Sequence, residues 1–228
     1  MKQGIFAIAA ASGLALFLNA GCGSTDVVAR VANSSFGMAI EASKGRVSHA
    51  DREGAWVLAS TAGDEVGFSS DFSRPGPDVT FSFDAAPFLA AGLDMARLSE
   101  GEGITARVEA GRLIMGFELG ADRFAGDAGQ SLAATMAEIV RTQRQRIGYH
   151  EKLDHYGIRL GGGNMFEWAK DPAKNDKDIV WALNPLPLIA AGVDPSKVAG
   201  WVFAKVESKD AKGKTVLEDK LLKPFDLR

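Results

Sequence analysis

Residues 78–98 read DVTFSFDAAPFLAAGLDMARL, and residues 178–198 read DIVWALNPLPLIAAGVDPSKV. The two stretches align without gaps at an offset of 100 residues, and six of the 21 aligned positions are identical. Self-similarity at a fixed offset is typical of an internal duplication. The sequence therefore predicts a body built from two related halves.

Each copy begins with a short apolar run rich in β-branched and aromatic residues, at 79–83 and at 179–183. Such runs are typical of buried strands. A short helix follows, ended by Gly92 or Gly192, because glycine readily adopts the left-handed conformation. Second strands are predicted at 104–110 and 198–207. Each half is thus expected to contain a strand, a short helix and a strand.

Polar residues also recur between the copies, namely Asp84 with Asn184 and Asp94 with Asp194. Side chains of this type cap helices and close Asx turns through their own backbone. We interpret the recurring residues as caps and turns rather than as ligand-binding residues.

A long helix is predicted between the copies, from about residue 127 to 153, because apolar residues recur there near helical spacing. Further strands are predicted at 27–33, 36–42, 55–60, 66–69, 112–119 and 216–222. The expected fold class is α+β, with two duplicated strand–short helix–strand halves joined by one long helix. The expected organisation is a signal peptide (1–21), a lipidated cysteine with a short linker (22–26), a first half (27–124), a connecting helix (125–155) and a second half (156–228).

The first 21 residues have the pattern of an export signal. Lys2 precedes a stretch of fourteen uncharged residues from Ile5 to Leu18, and small residues follow. The stretch is shorter than the roughly 20 apolar residues that span a bilayer, but it suits the apolar region of a signal peptide.

The end of this segment, Ala20-Gly21-Cys22, resembles the lipobox of bacterial lipoproteins, which ends in two small residues and a cysteine. Asn19 departs from the family, which usually has leucine there. The resemblance implies a diacylglycerol on Cys22, usually with a third acyl chain, and so a lipid-anchored protein of the cell envelope. Gly23 is not the aspartate that retains many lipoproteins at the inner membrane, which favours the outer membrane in a double-membrane bacterium. Ordinary signal cleavage, which would release a soluble protein, is the alternative.

Composition excludes several other chemistries. The net charge is −3, and it is −4 without residues 1–21, so the chain lacks the basic excess of a nucleic-acid-binding protein. Cys22 is the single cysteine, which leaves the rest of the chain without disulfides, thiolate metal sites or a cysteine nucleophile. No phosphate-binding loop, dinucleotide fingerprint or nucleophile elbow is present. We predict no cofactor.

The weak candidates for a metal or catalytic site lie in one string, His150, Glu151, Asp154 and His155. On a helix, His150 and His155 would lie about 140° apart, so they do not form the paired-histidine motif of zinc proteases. Ordinary surface residues are the expected interpretation. The predicted helix also carries Arg141, Arg144, Arg146 and Lys152, which are either a solvated face or a surface for anionic lipid. Trp56 and Trp168 are candidates to line a ligand cleft.

These observations leave three functional hypotheses. The first is a membrane-anchored envelope lipoprotein with a non-catalytic role, either structural or in binding another envelope protein. The second is a lipoprotein that binds a small molecule in a pocket between the two halves, where duplicated folds often form clefts. An enzyme is the third, and we do not expect one. A junction filled by side chains would favour the first hypothesis, and a concave junction the second.

Overall fold

The computed structural model describes residues 22–51, 53–98, 104–119, 131–151, 153–174, 178–209, 215–225 and 227. For residues 22–25, 208, 209 and 215 it describes the backbone alone. The predicted signal peptide and Lys152 lie outside the described residues.

The chain first forms helix α1, Cys22–Ala42, in place of the two strands predicted at 27–33 and 36–42. The strand prediction was wrong because it followed the β-branched valines near residue 27. The residues that α1 buries are Ala29, Ala32, Phe36 and Ala39, which recur at helical spacing. Three of these are alanines, so the apolar stripe is weak in the sequence.

The first sheet follows α1 and consists of six antiparallel strands in the order β1-β2-β3-β4-β6-β5. A short helix, α2, connects β4 to β5. The elements are β1 (Val47–Ala50), β2 (Ala55–Ala59), β3 (Glu65–Ser69), β4 (Val79–Asp84), α2 (Ala86–Ala90), β5 (Ile104–Glu109) and β6 (Arg112–Phe117).

The second half repeats this arrangement after helix α3, with a second six-stranded antiparallel sheet in the order β7-β8-β9-β10-β12-β11. The elements are α3 (Leu132–Thr142), β7 (Ile147–His150), β8 (His155–Arg159), β9 (Met165–Ala169), β10 (Ile179–Leu183), α4 (Leu186–Ala190), β11 (Val202–Lys209) and β12 (Thr215–Phe225). From the first to the fourth strand of each sheet, equivalent strands begin 100 residues apart. The repeat therefore extends well beyond the two stretches that reveal it.

The predicted α+β class with one long connecting helix was wrong, because the fold is mostly β. Helix α3 ends at Thr142 and is the counterpart of α1, each preceding its own sheet. Residues 147–150, expected in the helix, instead pair with residues 155–158 as an antiparallel hairpin. The helical stripe did not extend past Ile139 and Val140, the last buried apolar residues of α3.

Helix α1 packs mainly on the sheet of the opposite half. The indole Nε1 of Trp168, on β9, donates to the carbonyl oxygen of Ala32 at 3.1 Å, and the Ser35 hydroxyl donates to the carbonyl oxygen of Ala169 at 2.7 Å. Phe36 contacts Trp168 and also Phe68 of the first sheet, with ring centroids 5.3 and 5.9 Å apart. The core is thus continuous between the halves.

Candidate functional site

The two halves meet where α2 and α4 end. The amide of Asp94 donates to the carbonyl oxygen of Ala191 at 2.8 Å, and the amide of Asp194 donates to that of Ala91 at 2.9 Å. These reciprocal bonds bring together the residues that are identical in the two copies. The recurring Ala-Ala-Gly-x-Asp segment is therefore the junction of the halves, and its recurrence has a structural cause.

The recurring polar side chains act as turns and caps, as predicted. Asp94 Oδ1 accepts from the amide of Ala96 at 3.0 Å, and Asp194 Oδ1 accepts from that of Ser196 at 3.1 Å. Asp84 and Asn184 likewise accept from the first residues of α2 and α4. In each of the four residues, Oδ1 thus accepts a hydrogen bond from a backbone amide.

Aromatic side chains fill the space beside this junction. Phe83 of β4 contacts Trp181 of β10 and Trp201, with ring centroids 5.0 and 4.8 Å apart and nearly perpendicular planes. Trp181 also stacks on Phe225 at 4.2 Å. Edge-to-face and stacked pairs at these distances are typical of a close-packed interior. The junction is thus filled by side chains from both halves.

His150 and His155 are brought together by the hairpin of β7 and β8, where they are directly paired across the two strands. The separation expected from a helix was wrong, because the five-residue spacing bridges a tight turn rather than part of a helix. Both side chains are buried, and His155 is 1% exposed. They lie on the sheet face opposite to Tyr156, because side chains alternate along a strand.

Glu167 of β9 lies beside both histidines. Its Oε2 is 3.5 Å from Nδ1 of His150 and 3.7 Å from Nδ1 of His155, and the carboxylate is buried. These distances are longer than most hydrogen bonds, so each contact is a close approach of the carboxylate to an imidazole ring. Burial raises the pKa of the Glu167 carboxyl, but the two imidazoles outweigh burial and hold this pKa below its ordinary value.

This cluster of His150, His155 and Glu167 is specific to the second half. The equivalent positions 100 residues earlier are Ala50, Ala55 and Gly67, which carry no titratable group. The repeat therefore folds without the cluster. Sequence reasoning missed Glu167, because its place beside the histidines depends on the pairing of β8 with β9.

The other two residues of the candidate string lie elsewhere. Asp154 accepts a short hydrogen bond from the Tyr149 hydroxyl, which raises the pKa of Tyr149 to about 12. Glu151 is exposed at the tip of the hairpin. Within the described part of the chain, no three His, Cys, Asp or Glu side chains are placed to hold a metal ion.

The two candidate cleft residues differ in environment. Trp168 is fully buried against α1, and its indole N–H is bonded to Ala32. Trp56 is partly buried and contacts the His49 ring, with centroids 4.8 Å apart. Tyr149 and Tyr156 form the equivalent pair in the second half. The ligand cleft stays a prediction for both tryptophans.

Cys22 is the first residue of α1, so the expected lipid attachment point belongs to a helix that is built into the core. One turn later, Asp26 Oδ1 lies 2.9 Å from Nη1 of Arg144, just after α3. Among the described residues, none of the helices combines the length and the apolar character that a membrane span requires.

Comparisons of the chain with models of protein families, with curated proteins and with solved structures found no match in any of the three.

Proposed function

We propose that this chain is a lipid-anchored cell-envelope protein with a non-catalytic role, structural or in binding another envelope protein. The observation that carries the proposal is Cys22, the single cysteine, which ends the lipobox-like Ala20-Gly21-Cys22 after an apolar export signal. Several acyl chains on one residue bind a membrane far more firmly than one chain, since each buried CH2 contributes about 0.8 kcal/mol.

The position of Cys22 supports an anchor that holds the body close to the membrane. Because α1 starts at this residue and packs through Phe36 into the shared core, no flexible tether separates the anchor from the folded body. The residues expected as a linker, 22–26, are part of the helix.

The filled junction between the halves supports a binding or structural role rather than a ligand pocket. Gly92 and Gly192 are in backbone contact there, and Phe83 packs against the tryptophans of the second half. Leu89, Leu186 and Ile189 expose apolar side chains on α2 and α4 beside the junction. Exposed apolar side chains that lie close together are typical of contacts with other proteins.

Intact mass spectrometry of the protein from membranes of an expressing bacterium tests the anchor, beside a Cys22→Ala variant. We expect a mature chain that starts at Cys22 and carries added acyl mass, with both features absent from the variant. An unacylated chain cut near residues 21–24 in both forms would contradict the anchor.

Site-specific photo-cross-linking in cells tests the binding role. A cross-linker at Ile189 is compared with one at Leu217, an exposed apolar residue of β12 away from α2 and α4. We expect a discrete adduct at position 189 that is reproduced with the identified partner in purified form. Equal, diffuse labelling at both positions would contradict a specific partner at the junction.

A further inference from the structure

We infer that the start of α1 and the turn after α3 form a membrane-facing basic end, which rests on anionic lipid headgroups of the bilayer that holds the anchor. The basic end is defined by Arg141, Arg144, Arg146 and Arg159. The inference rests on the proposed lipid attachment at Cys22 and adds the lipid chemistry that the protein body contacts.

The basic end lies close to the anchor. Asp26 follows Cys22 by four residues, which on a helix is a rise of about 6 Å. Its carboxylate is paired with Arg144 at 2.9 Å. Arg144 opens the 3-10 turn Arg144–Arg146, which contacts α1. A bilayer that holds acyl chains on Cys22 is therefore within reach of this turn.

Positive charge is concentrated here. Arg159 donates from Nη2 to the carbonyl oxygen of Gln145 at 2.7 Å, and Arg146 donates from Nη1 to that of Arg159 at 3.3 Å. Burial and then the charge of Arg159 lower the pKa of Arg146. Guanidinium groups crowd together in a protein whose overall charge is negative.

Carboxylates also lie at the basic end. Asp26 forms an ion pair with Arg144, and Glu138 forms one with Arg141. The charge of Asp78, just before β4, favours the charged form of Arg146. The side chains of Arg141 and Arg144 remain 68% and 59% exposed, so both can reach phosphate groups.

Apolar side chains accompany the charge. Val27 and Val31 are 48% and 37% exposed and lie one turn apart on the same face of α1. A helix that combines apolar and basic side chains binds at the boundary between headgroups and acyl chains, and anionic lipid strengthens this binding. The lipid anchor and the basic end thus contact the same bilayer.

The test uses the fact that Cys22 is the single cysteine of the chain. Acylation consumes Cys22, so a cysteine introduced elsewhere is the single labelling site. Full-length protein with a fluorophore on Val27→Cys is reconstituted into vesicles that contain a headgroup spin-labelled quencher lipid. Glu41→Cys is the matched control, because it is exposed on the same helix about 21 Å further along.

We expect quenching at position 27 to exceed quenching at position 41 by at least about twofold. It should increase when phosphatidylglycerol is added to phosphatidylcholine. The pair Arg141→Gln and Arg144→Gln should abolish this increase. Arg107→Gln should leave it intact, because Arg107 is an exposed ion-paired arginine of β5 outside the basic end. Equal quenching at both positions, or no effect of lipid charge, would overturn the inference.

The failure of the anchor and the failure of the basic end are distinguishable. Intact mass of the reconstituted sample reports acylation independently of the quenching. If the chain is unacylated, the proposed anchor is wrong, and the same soluble protein is sedimented with phosphatidylglycerol vesicles. We then expect the two arginine substitutions together to weaken sedimentation about thirtyfold, since each basic residue near an anionic surface contributes about 1 kcal/mol. Unchanged sedimentation would overturn the basic end as well.

Discussion

The main chains of Gly92 and Gly192 are in contact at the junction of the halves. A Cβ atom on Gly92 would lie 2.7 Å from the carbonyl oxygen of Gly192, and a Cβ on Gly192 would lie 2.8 Å from that of Gly92. Both residues also have positive φ, at 105° and 94°. Glycine is therefore needed at each position for two separate reasons.

We expect Gly92→Ala to lower the free energy of unfolding by about 3 kcal/mol, as measured by chemical denaturation. The left-handed backbone accounts for about 1–2 kcal/mol of this loss, and the displaced carbonyl for the rest. Gly200→Ala is the matched control, because Gly200 has φ 82° and nothing lies within 4 Å of its Cβ position. Equal losses in the two variants would show that the close approach contributes nothing.

We expect Ser35→Ala to lower the free energy of unfolding by about 1–2 kcal/mol, because it removes the buried bond that joins α1 to Ala169. Ser34→Ala, at the neighbouring exposed position, should change stability by less than about 0.5 kcal/mol. Thermal and denaturant unfolding of both variants measure the difference. If the two substitutions had the same effect, α1 would not be held to the second sheet by this bond.

The ion pair between Asp64 and Lys223 crosses between the halves, with Oδ2 and Nζ 2.5 Å apart and both side chains largely buried. A double-mutant cycle with Asp64→Asn and Lys223→Met should give a coupling energy of about 1–3 kcal/mol. The exposed pair of Lys205 and Asp219, at 2.9 Å, should give less than about 1 kcal/mol in the same cycle. Similar coupling energies for the two pairs would contradict the expectation that burial strengthens the ion pair of Asp64 and Lys223.

Acid should weaken the protein through Glu167. Its pKa is lower in the folded protein than the ordinary value of 4.5, so its contribution is fully present above about pH 4.5 and is lost as the pH falls through the lowered value. We expect Glu167→Gln to lower the unfolding free energy at pH 7 by about 3 kcal/mol, because both buried histidines lose their charged neighbour.

The difference between wild type and Glu167→Gln should then shrink below pH 4.5, when unfolding is followed across a series of pH values. Glu109→Gln, on the exposed side of β5, is the control and should change stability little at any pH. A stability difference that stays constant from pH 7 to pH 3 would contradict the prediction, because the loss would then not depend on the charge of the Glu167 carboxylate.

The sequence predicts the strands best where apolar runs are bounded by turn residues. The strands predicted at 79–83 and 179–183 are confirmed as β4 and β10, and those at 55–60 and 112–119 as β2 and β6. Prediction failed where the local apolar pattern was compatible with both a helix and a strand. Ile147 continued the helical stripe of α3, but it pairs with Ile158 in the hairpin instead. Pairing between strands is a long-range property that periodicity does not carry.

The candidate site was predicted in part. His150 and His155 were identified as a potential cluster, but their companion Glu167 lies twelve residues further on, on the next strand of the sheet. Lipid attachment at Cys22 stays a prediction, because residues 1–21 and the Cys22 side chain lie outside what the structure describes.

The packing of α1 on the sheet of the opposite half also affects the order of folding. Ser35 and Ala169, which are hydrogen-bonded, lie 134 residues apart in the chain, and Ala32 and Trp168 lie 136 residues apart. Contacts over such separations form slowly, because the entropy of closing the loop is lost before the contact is gained. Helix α1 is synthesised first and therefore cannot form its contacts with the second sheet until β9 has also been synthesised. The leading end of the chain is therefore the last part to acquire its native contacts with the second sheet.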